Sequence, residues 1–307
     1  MITNKPNSEA VSRFATQLQE APAEVEGRSL WQDARRRFMH NKAAMISLIT
    51  LSVIILLCLF GSQLGDFTYD DIDWNAMQIA PDASSGHFFG TDSLGRDLFV
   101  RTLVGGQISL MVGVLGALVA IVIGTLYGAM AGFIGGRTDS FMMRTLEILN
   151  SFPFMFFVIL LVTFFGRNIM LIFIAIGAVS WLDMARIVRG QTLSLKSKEF
   201  IEAAHVCGVS TWAIITRHIV PNVLGIVVVY ATLLVPSMIL FESFLSYLGL
   251  GVQEPMTSWG ALLNEGSKTM EVAPWQLLFP AGFLVTTLFC FNFVGDGLRD
   301  ALDPKDR

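Results

Sequence analysis

Charge is scarce in this sequence. Asp, Glu, Lys and Arg make up 15% of its 307 residues, where a soluble domain carries about 25%. A water-facing surface cannot be assembled from so few ionic groups. Cysteine is scarce too: Cys58, Cys207 and Cys290 are odd in number and far apart, so no disulfide framework is implied. An excess of positive charge is missing, and the net charge of −4 excludes a broadly basic nucleic-acid binder. The 27 glycines follow no three-residue period, which excludes collagen. What the chain has instead is apolar mass: 53% hydrophobic residues, 24 Phe and a mean hydropathy of +0.60. That excludes intrinsic disorder and points to an integral membrane protein.

Catalytic motifs are also lacking. No G-x-x-x-x-G-K-[ST] phosphate loop occurs. The nearest match, Gly90-Thr91-Asp92-Ser93-Leu94-Gly95-Arg96-Asp97, has Arg for Lys and Asp for Ser/Thr. There is no H-E-x-x-H, and His40, His87, His205 and His218 are scattered, so a metal site has no support. Neither G-x-S-x-G nor a paired-Cys motif appears. The chain is expected to be no enzyme and to bind no cofactor; if it uses ATP, another chain must hydrolyse it.

Runs free of Asp, Glu, Lys and Arg set the expected spans. A spanning helix needs about 20 apolar residues. The runs are 43–65, 102–136, 148–166 with Pro153 inside, a short 168–182, 218–241 with Glu242 in its apolar continuation, and 272–295. Six spans put both termini on one side. With the N-terminus inside, the inner segments hold 17 basic residues and the outer segments four (Arg96, Arg101, Arg167, Lys268). The positive-inside rule then selects N-in, C-in. The first run begins too late and is too long for a cleaved signal peptide. The expected fold is all-α and membrane-integral. It comprises a cytoplasmic segment 1–42, a six-span domain 43–295 and a cytoplasmic tail 296–307. Loops 66–101 and 249–271 lie outside, and loop 183–217 inside. Within the first segment, Leu30, Trp31, Ala34 and Phe38 fall at helical spacing beside Arg35, Arg36 and Arg37, which reads as an amphipathic helix on the inner surface or else a solvated linker.

The inner loop is the most informative. Lys198–Cys207 contains neither Gly nor Pro, and Phe200, Ala203, Ala204 and Cys207 fall on one face. Gly208 interrupts, Ser210 is a candidate N-cap for a second helix over Thr211–His218, and Pro221 follows. A helix, Gly turn and helix at the mouth of a bundle suits docking of another protein; the alternative is a connecting helix lying flat on the membrane. On the second span Gly124, Gly128 and Gly132 form a ridge of small residues, for packing within the bundle or against a partner. Arg144 with Glu147, and Asp183 with Arg186, are spaced to neutralise each other. Glu242 has no neighbouring base and either lines a translocation path or caps a backbone break after Pro236.

Glu202-Ala203-Ala204, three residues, Gly208, nine residues and then His218-Ile219-Val220-Pro221-Asn222 resemble the EAA motif of bacterial ABC-importer permeases, of type I architecture. His218 stands where the family usually has an aliphatic residue. The H-x-x-P-N ending is similar to the peptide/nickel branch. So are His87–Asp97 with Arg101, Gly105 and Ser109-Leu110; Glu242–Gly251 with Trp259-Gly260; and Gly295–Pro304. The stretch from Gly27 to His40 and the Lys305-Asp306-Arg307 ending look closest to oligopeptide members. The resemblance covers nearly the whole chain. It implies a permease subunit in the bacterial cytoplasmic (inner) membrane, importing peptides. The partners it implies are a second homologous permease, two ATPase subunits carrying ATP-Mg, an extracytoplasmic peptide-binding protein, membrane lipid and no nucleic acid. Glu202, Ala203, Ala204, Gly208, His218 and Pro221 would then couple to the ATPase, Glu202 by pairing with a basic residue there. Dipeptides or nickel remain open as cargo. Two other classes stand against it: an ion-coupled secondary transporter, for which Glu242 is the one intramembrane carboxylate to offer, and a membrane enzyme.

Overall fold

The computed structural model describes residues 30–63, 67–166 and 169–302. The basic residues Lys5, Arg13, Arg28, Arg167, Lys305 and Arg307, and the side chains of Leu30 and Trp31, lie outside the described part. In chain order the helices are α1 (Leu30–His40), α2 (Lys42–Phe60), α3 (Leu98–Val119), α4 (Thr125–Ile134), α5 (Gly136–Ser151), α6 (Phe154–Phe165), α7 (Ile169–Lys196), α8 (Glu199–Val206), α9 (Thr211–Ile214), α10 (Val220–Tyr247), α11 (Trp259–Thr269) and α12 (Trp275–Leu302). A π-helical turn, Ala120–Gly124, joins α3 to α4, and a second, Ile215–Ile219, joins α9 to α10. Among the described residues β structure is limited to two isolated bridges, Asp82 with His87 and Thr91 with Asp97.

Among the described residues four rods are long and apolar enough to cross a membrane: Lys42–Gln63, Leu98–Ile134, Thr211–Tyr247 and Trp275–Leu302. The second and third have 37 residues each, about 55 Å at 1.5 Å per residue, so they project well beyond a hydrocarbon core of about 30 Å. The projecting end of the third is the expected second helix of the inner loop. It is not separate: Thr211 to Tyr247 is one rod, because the wide turn at Ile215–Ile219 carries the backbone into α10. Val220 N–H returns to Ile215 there, and Pro221, lacking an N–H, follows.

Two expected spans come out differently. The run 148–166 is not one straight helix. α5 ends at Ser151, Phe152 is extended ahead of Pro153, and α6 leaves at 73°. Proline disfavours a helical residue before it and supplies no N–H, which fixes the break. α6 alone, with 12 residues, is about 18 Å long and too short to cross. The run 168–182, too short on its own, is extended: α7 continues through Asp183 to Lys196, 28 residues in all. Arg186 Nη1 donates to Asp183 Oδ1 at 2.6 Å, as the spacing predicted. Arg144 Nη1 likewise donates to Glu147 Oε2, at 3.1 Å. Pro236 does not break α10, which runs through it.

Antiparallel α3 and α10 form the centre, with α12 and α2 on one flank and α7 on the other. α4 packs on α7 through the glycine ridge. A Cβ at Gly124 would meet the Met184 side chain at 2.7 Å, one at Gly128 would run into the carbonyl oxygen of Ala185, and one at Gly132 would meet Thr192 Cβ at 2.8 Å. All three glycines are therefore committed within this chain. Asp139 on α5 closes the same flank with two bonds from Arg189 on α7, Nε to Oδ1 at 2.5 Å and Nη2 to Oδ2 at 2.6 Å.

Candidate functional site

At one end of the bundle, α8 follows α7 and meets the end of α4. The His205 ring stacks on Phe133, the penultimate residue of α4, with centroids 5.6 Å apart, and Lys196 Nζ sits 5.6 Å from the same ring. The inner side of α8 carries Ile201 and Ala204, both buried, and they join Ile214, Ile215 and Ile219 in the core. The outer side presents Glu202, Ala203 and Val206, the last 89% exposed, with Trp212 54% exposed beyond the turn. Ala203 and Ala204 thus do not share a face, contrary to expectation. Ala204, 9% exposed, seats the helix on its own bundle, and only Ala203 is open to a partner.

The turn that ends α8 is fully bonded. Val209 N–H donates to Ala204 O at 3.1 Å and Gly208 N–H to His205 O at 3.0 Å, a Schellman arrangement. Gly208 has φ +77° and nothing within 4 Å of the position a Cβ would take. Backbone conformation, not space, therefore demands glycine. Ser210 Oγ accepts from Ala213 N–H at 3.4 Å, the predicted cap. His218 is half-buried within the π turn and its carbonyl accepts from Asn222 Nδ2 at 2.6 Å. Pro221 is exposed on the first turn of α10. Glu202 makes no ion pair among the described residues, so its carboxylate is available to a cation from elsewhere.

At the other end, residues 67–97 fold into a compact loop clamped to the bundle by ions. Asp92 accepts backbone bonds from Leu94 N–H at 2.8 Å and Arg96 N–H at 3.0 Å, and its other oxygen takes Arg96 Nε at 2.6 Å. Arg96 reaches Glu254 at 3.2 Å; Arg101, fully buried, places Nη2 3.0 Å from both oxygens of Glu265 on α11. Burial pushes the Glu265 carboxyl above the usual carboxylate range, against the pull of Arg101 and Arg96. His87 Nδ1 lies 2.8 Å from Asp97 Oδ2, while Asp97 Oδ1 caps α3 by accepting from Val100 N–H at 2.9 Å. The sequence sets off loop 66–101 but does not reveal this clamp. The signal available was two arginines at the head of an apolar run on the arginine-poor side; Glu254 and Glu265 are more than 150 positions away.

Glu242 is fully buried. It accepts from Ser109 Oγ on α3 at 2.7 Å and from Ser246 Oγ at 2.7 Å. Ser109 Oγ in turn accepts from Trp259 N–H at 3.2 Å, and Trp259 Nε1 donates to Thr102 O at 2.9 Å. Neither expected role fits: the carboxylate lines no open path, and α10 has no break to cap. It ties α3, α10 and the start of α11 together.

Relatives agree along the whole length. The chain is 72% identical to the oligopeptide transport system permease protein OppC of Escherichia coli (strain K12) over 307 residues, all of both chains. It is 47% identical to OppC of Bacillus subtilis (strain 168), covering 91% of each chain. It is 44% identical to the dipeptide transport system permease protein DppC of the same organism, covering 91% of this chain and 87% of the relative. Residues 29–81 match the N-terminal TM domain of oligopeptide transport permease C. Residues 120–307, which carry the α8 surface, the glycine ridge and Glu242, match the binding-protein-dependent transport system inner membrane component, and the chain belongs to that family.

Proposed function

We propose that this chain is the permease subunit of an ATP-driven importer that carries oligopeptides across the bacterial cytoplasmic membrane. Its energy arrives through α8. The observation that carries this reading is the exposed surface of Glu202, Ala203, Val206 and Trp212, held on a rigid Schellman turn and rooted in the core by Ile201 and Ala204. A helix so anchored passes a push to the bundle through the His205–Phe133 contact and its buried Ile201 and Ala204. The sequence has no phosphate loop of its own, so ATP-Mg belongs to two partner ATPase subunits. A second homologous permease completes the path, and an extracytoplasmic binding protein delivers the peptide. ATP-driven closure of the ATPase pair biases the permease between inward and outward access through its differential affinity for the two states. The 72% identity to a protein named for oligopeptide transport favours oligopeptides over dipeptides or nickel. A secondary transporter would need a coupling-ion site, and the enclosed, serine-bonded Glu242 gives it no support.

The coupling test uses the assembled transporter. Glu202→Lys and Ala203→Trp should insert normally, since neither side chain faces the bundle. Each should lower peptide uptake at least about tenfold, or ~1.4 kcal/mol of lost contact, while ATP hydrolysis persists or the ATPase dissociates. A Cys at position 203 should cross-link to the ATPase. Full uptake in both variants with no cross-link would remove α8 as the coupling element.

We read the membrane topology as six spans, N-in and C-in, with α5–α6 as one bent crossing and α7 as another. Cys58 and Cys290 are buried and Cys207 is exposed, so reporters belong in a Cys207→Ser background. Cysteines at Ser84 and Met256, both exposed, should react with an impermeant thiol reagent applied to the extracytoplasmic side. A cysteine at Ser197, also exposed, should be protected until the membrane is opened. Labelling of position 197 from outside would invert the orientation.

A further inference from the structure

α1 and α2 together have the form of a binding site for one anionic phospholipid. The inward face of α1 is used up: Ala34 is buried, and the Phe38 ring lies 3.2 Å from the position of a Cβ at Gly297 on α12. The outward face carries Arg35 and Arg36 with Met39, all exposed, and Lys42 follows at the first position of α2. Asn41 joins the two helices by accepting from Ala44 N–H at 3.2 Å, so the cations of α1 and Lys42 lie within eight residues of one another at the start of α2. Asp33 flanks them, half-buried, and the outward face stays net positive. Arg35, Arg36 and Lys42 make no ion pair among the described residues.

The apolar half of the site begins where the cations stop. Ile46, Ile49, Val53, Leu56 and Phe60 recur at intervals of three and four along α2, and each is at least half exposed. They form one stripe on the 19-residue helix, which is about 28 Å long and so matches one hydrocarbon thickness. Lys42 therefore sits at the headgroup boundary, directly above the stripe. An acyl chain has an apolar track and its phosphate has three cations at the end of it. We propose that this face binds an anionic phospholipid, the phosphate held by Arg35, Arg36 and Lys42 and a chain laid along Ile46–Phe60. Basic clusters beside a span attract anionic lipid with a contribution near a factor of about five per cation. The inference requires only that the chain lies in a bilayer, and not any particular cargo or partner.

The test is native mass spectrometry of the intact transporter, equilibrated with equal amounts of phosphatidylglycerol and phosphatidylcholine. The wild type should retain phosphatidylglycerol preferentially. The triple variant Arg35→Gln, Arg36→Gln, Lys42→Gln should lose that preference by about a hundredfold, from three such factors, with unchanged assembly. Ile49→Trp, which keeps the cations and obstructs the track, should lower total bound lipid without altering the preference. No preference in the wild type, or the same preference in the triple variant, overturns the proposal. So does a cysteine at Ile49 or Leu56 that cross-links to the second permease, because a protein then covers the stripe.

Discussion

Gly128→Leu is expected to eliminate folded transporter, and Gly128→Ala to lower its thermal stability measurably. A Cβ at position 128 would collide with the Ala185 carbonyl oxygen and lie 3.0 Å from both Arg189 N and Val188 Cβ. Two of those three atoms are backbone, so no rotamer change relieves the contact; α4 and α7 have to separate. Overpacking in a core costs about 1–3 kcal/mol where side chains can yield, and the alanine should reach that range. The leucine adds three more carbons to a seam with no room for one, and it also separates Gly124 and Gly132 from Met184 and Thr192. Close backbone approach is the main source of helix affinity in lipid, so the loss is not recovered elsewhere. Gly225→Ala on α10 is the control, since nothing lies within 4 Å of its Cβ position. The readouts are yield of monodisperse complex in detergent and its unfolding temperature. Equal stability of Gly128→Ala and Gly225→Ala would mean that α4 and α7 do not pack through this ridge.

The ridge was readable because its period matches a helix: 124, 128 and 132 stay on one face whatever the helix packs on. Its partner was not readable, since α7 is distant in sequence and offers Met184, Val188 and Thr192, none of which signals a small-residue seam. The α8 surface divides in the same way. Lys198 to Ser210 gave the helix, the glycine turn and the cap, because each depends on local chemistry. Which of two adjacent alanines points outward depends on where Phe133 and Ile219 lie in space, and the sequence assigned Ala204 to the wrong side. The spans show the third case. Apolar length alone registers Pro153 as one residue in a run, yet its backbone effect turns the chain by 73°. Pro236 and Pro280, chemically the same, are absorbed within helices. Neighbouring helices decide between the two outcomes, and no local pattern encodes them.

The ionic clamp on loop 67–97 was hidden most completely, and its removal is the second large effect expected. Arg101→Ala should destabilise the assembled transporter by about 3–5 kcal/mol, the range for removing one partner from a buried ion pair. Arg101 is fully buried; its Nη2 serves both oxygens of Glu265, and its Nε lies 3.4 Å from Asp92 Oδ2. Without it, Glu265 keeps only Arg96, at 3.5 Å, and Arg96 must also serve Asp92 and Glu254. Three carboxylates would then share one guanidinium, one of them on α11 and one on the loop before α3. The clamp between those elements should open before the helices do. Residues 67–97 should accordingly become susceptible to protease added outside, at temperatures where the spans are still intact. Lysine should not rescue the site, because an ammonium cannot reproduce the two-nitrogen geometry. Arg101→Met combined with Glu265→Met should recover much of the loss, since the uncompensated charge disappears with its partner. Arg144→Ala supplies the contrast: its ion pair with Glu147 is exposed on both sides, and such pairs are worth about 0–1 kcal/mol. If Arg101→Ala proves no more damaging than Arg144→Ala, the loop is held by its aromatic contacts, chiefly Phe89 against Phe279 at 4.0 Å, and the ionic clamp is incidental.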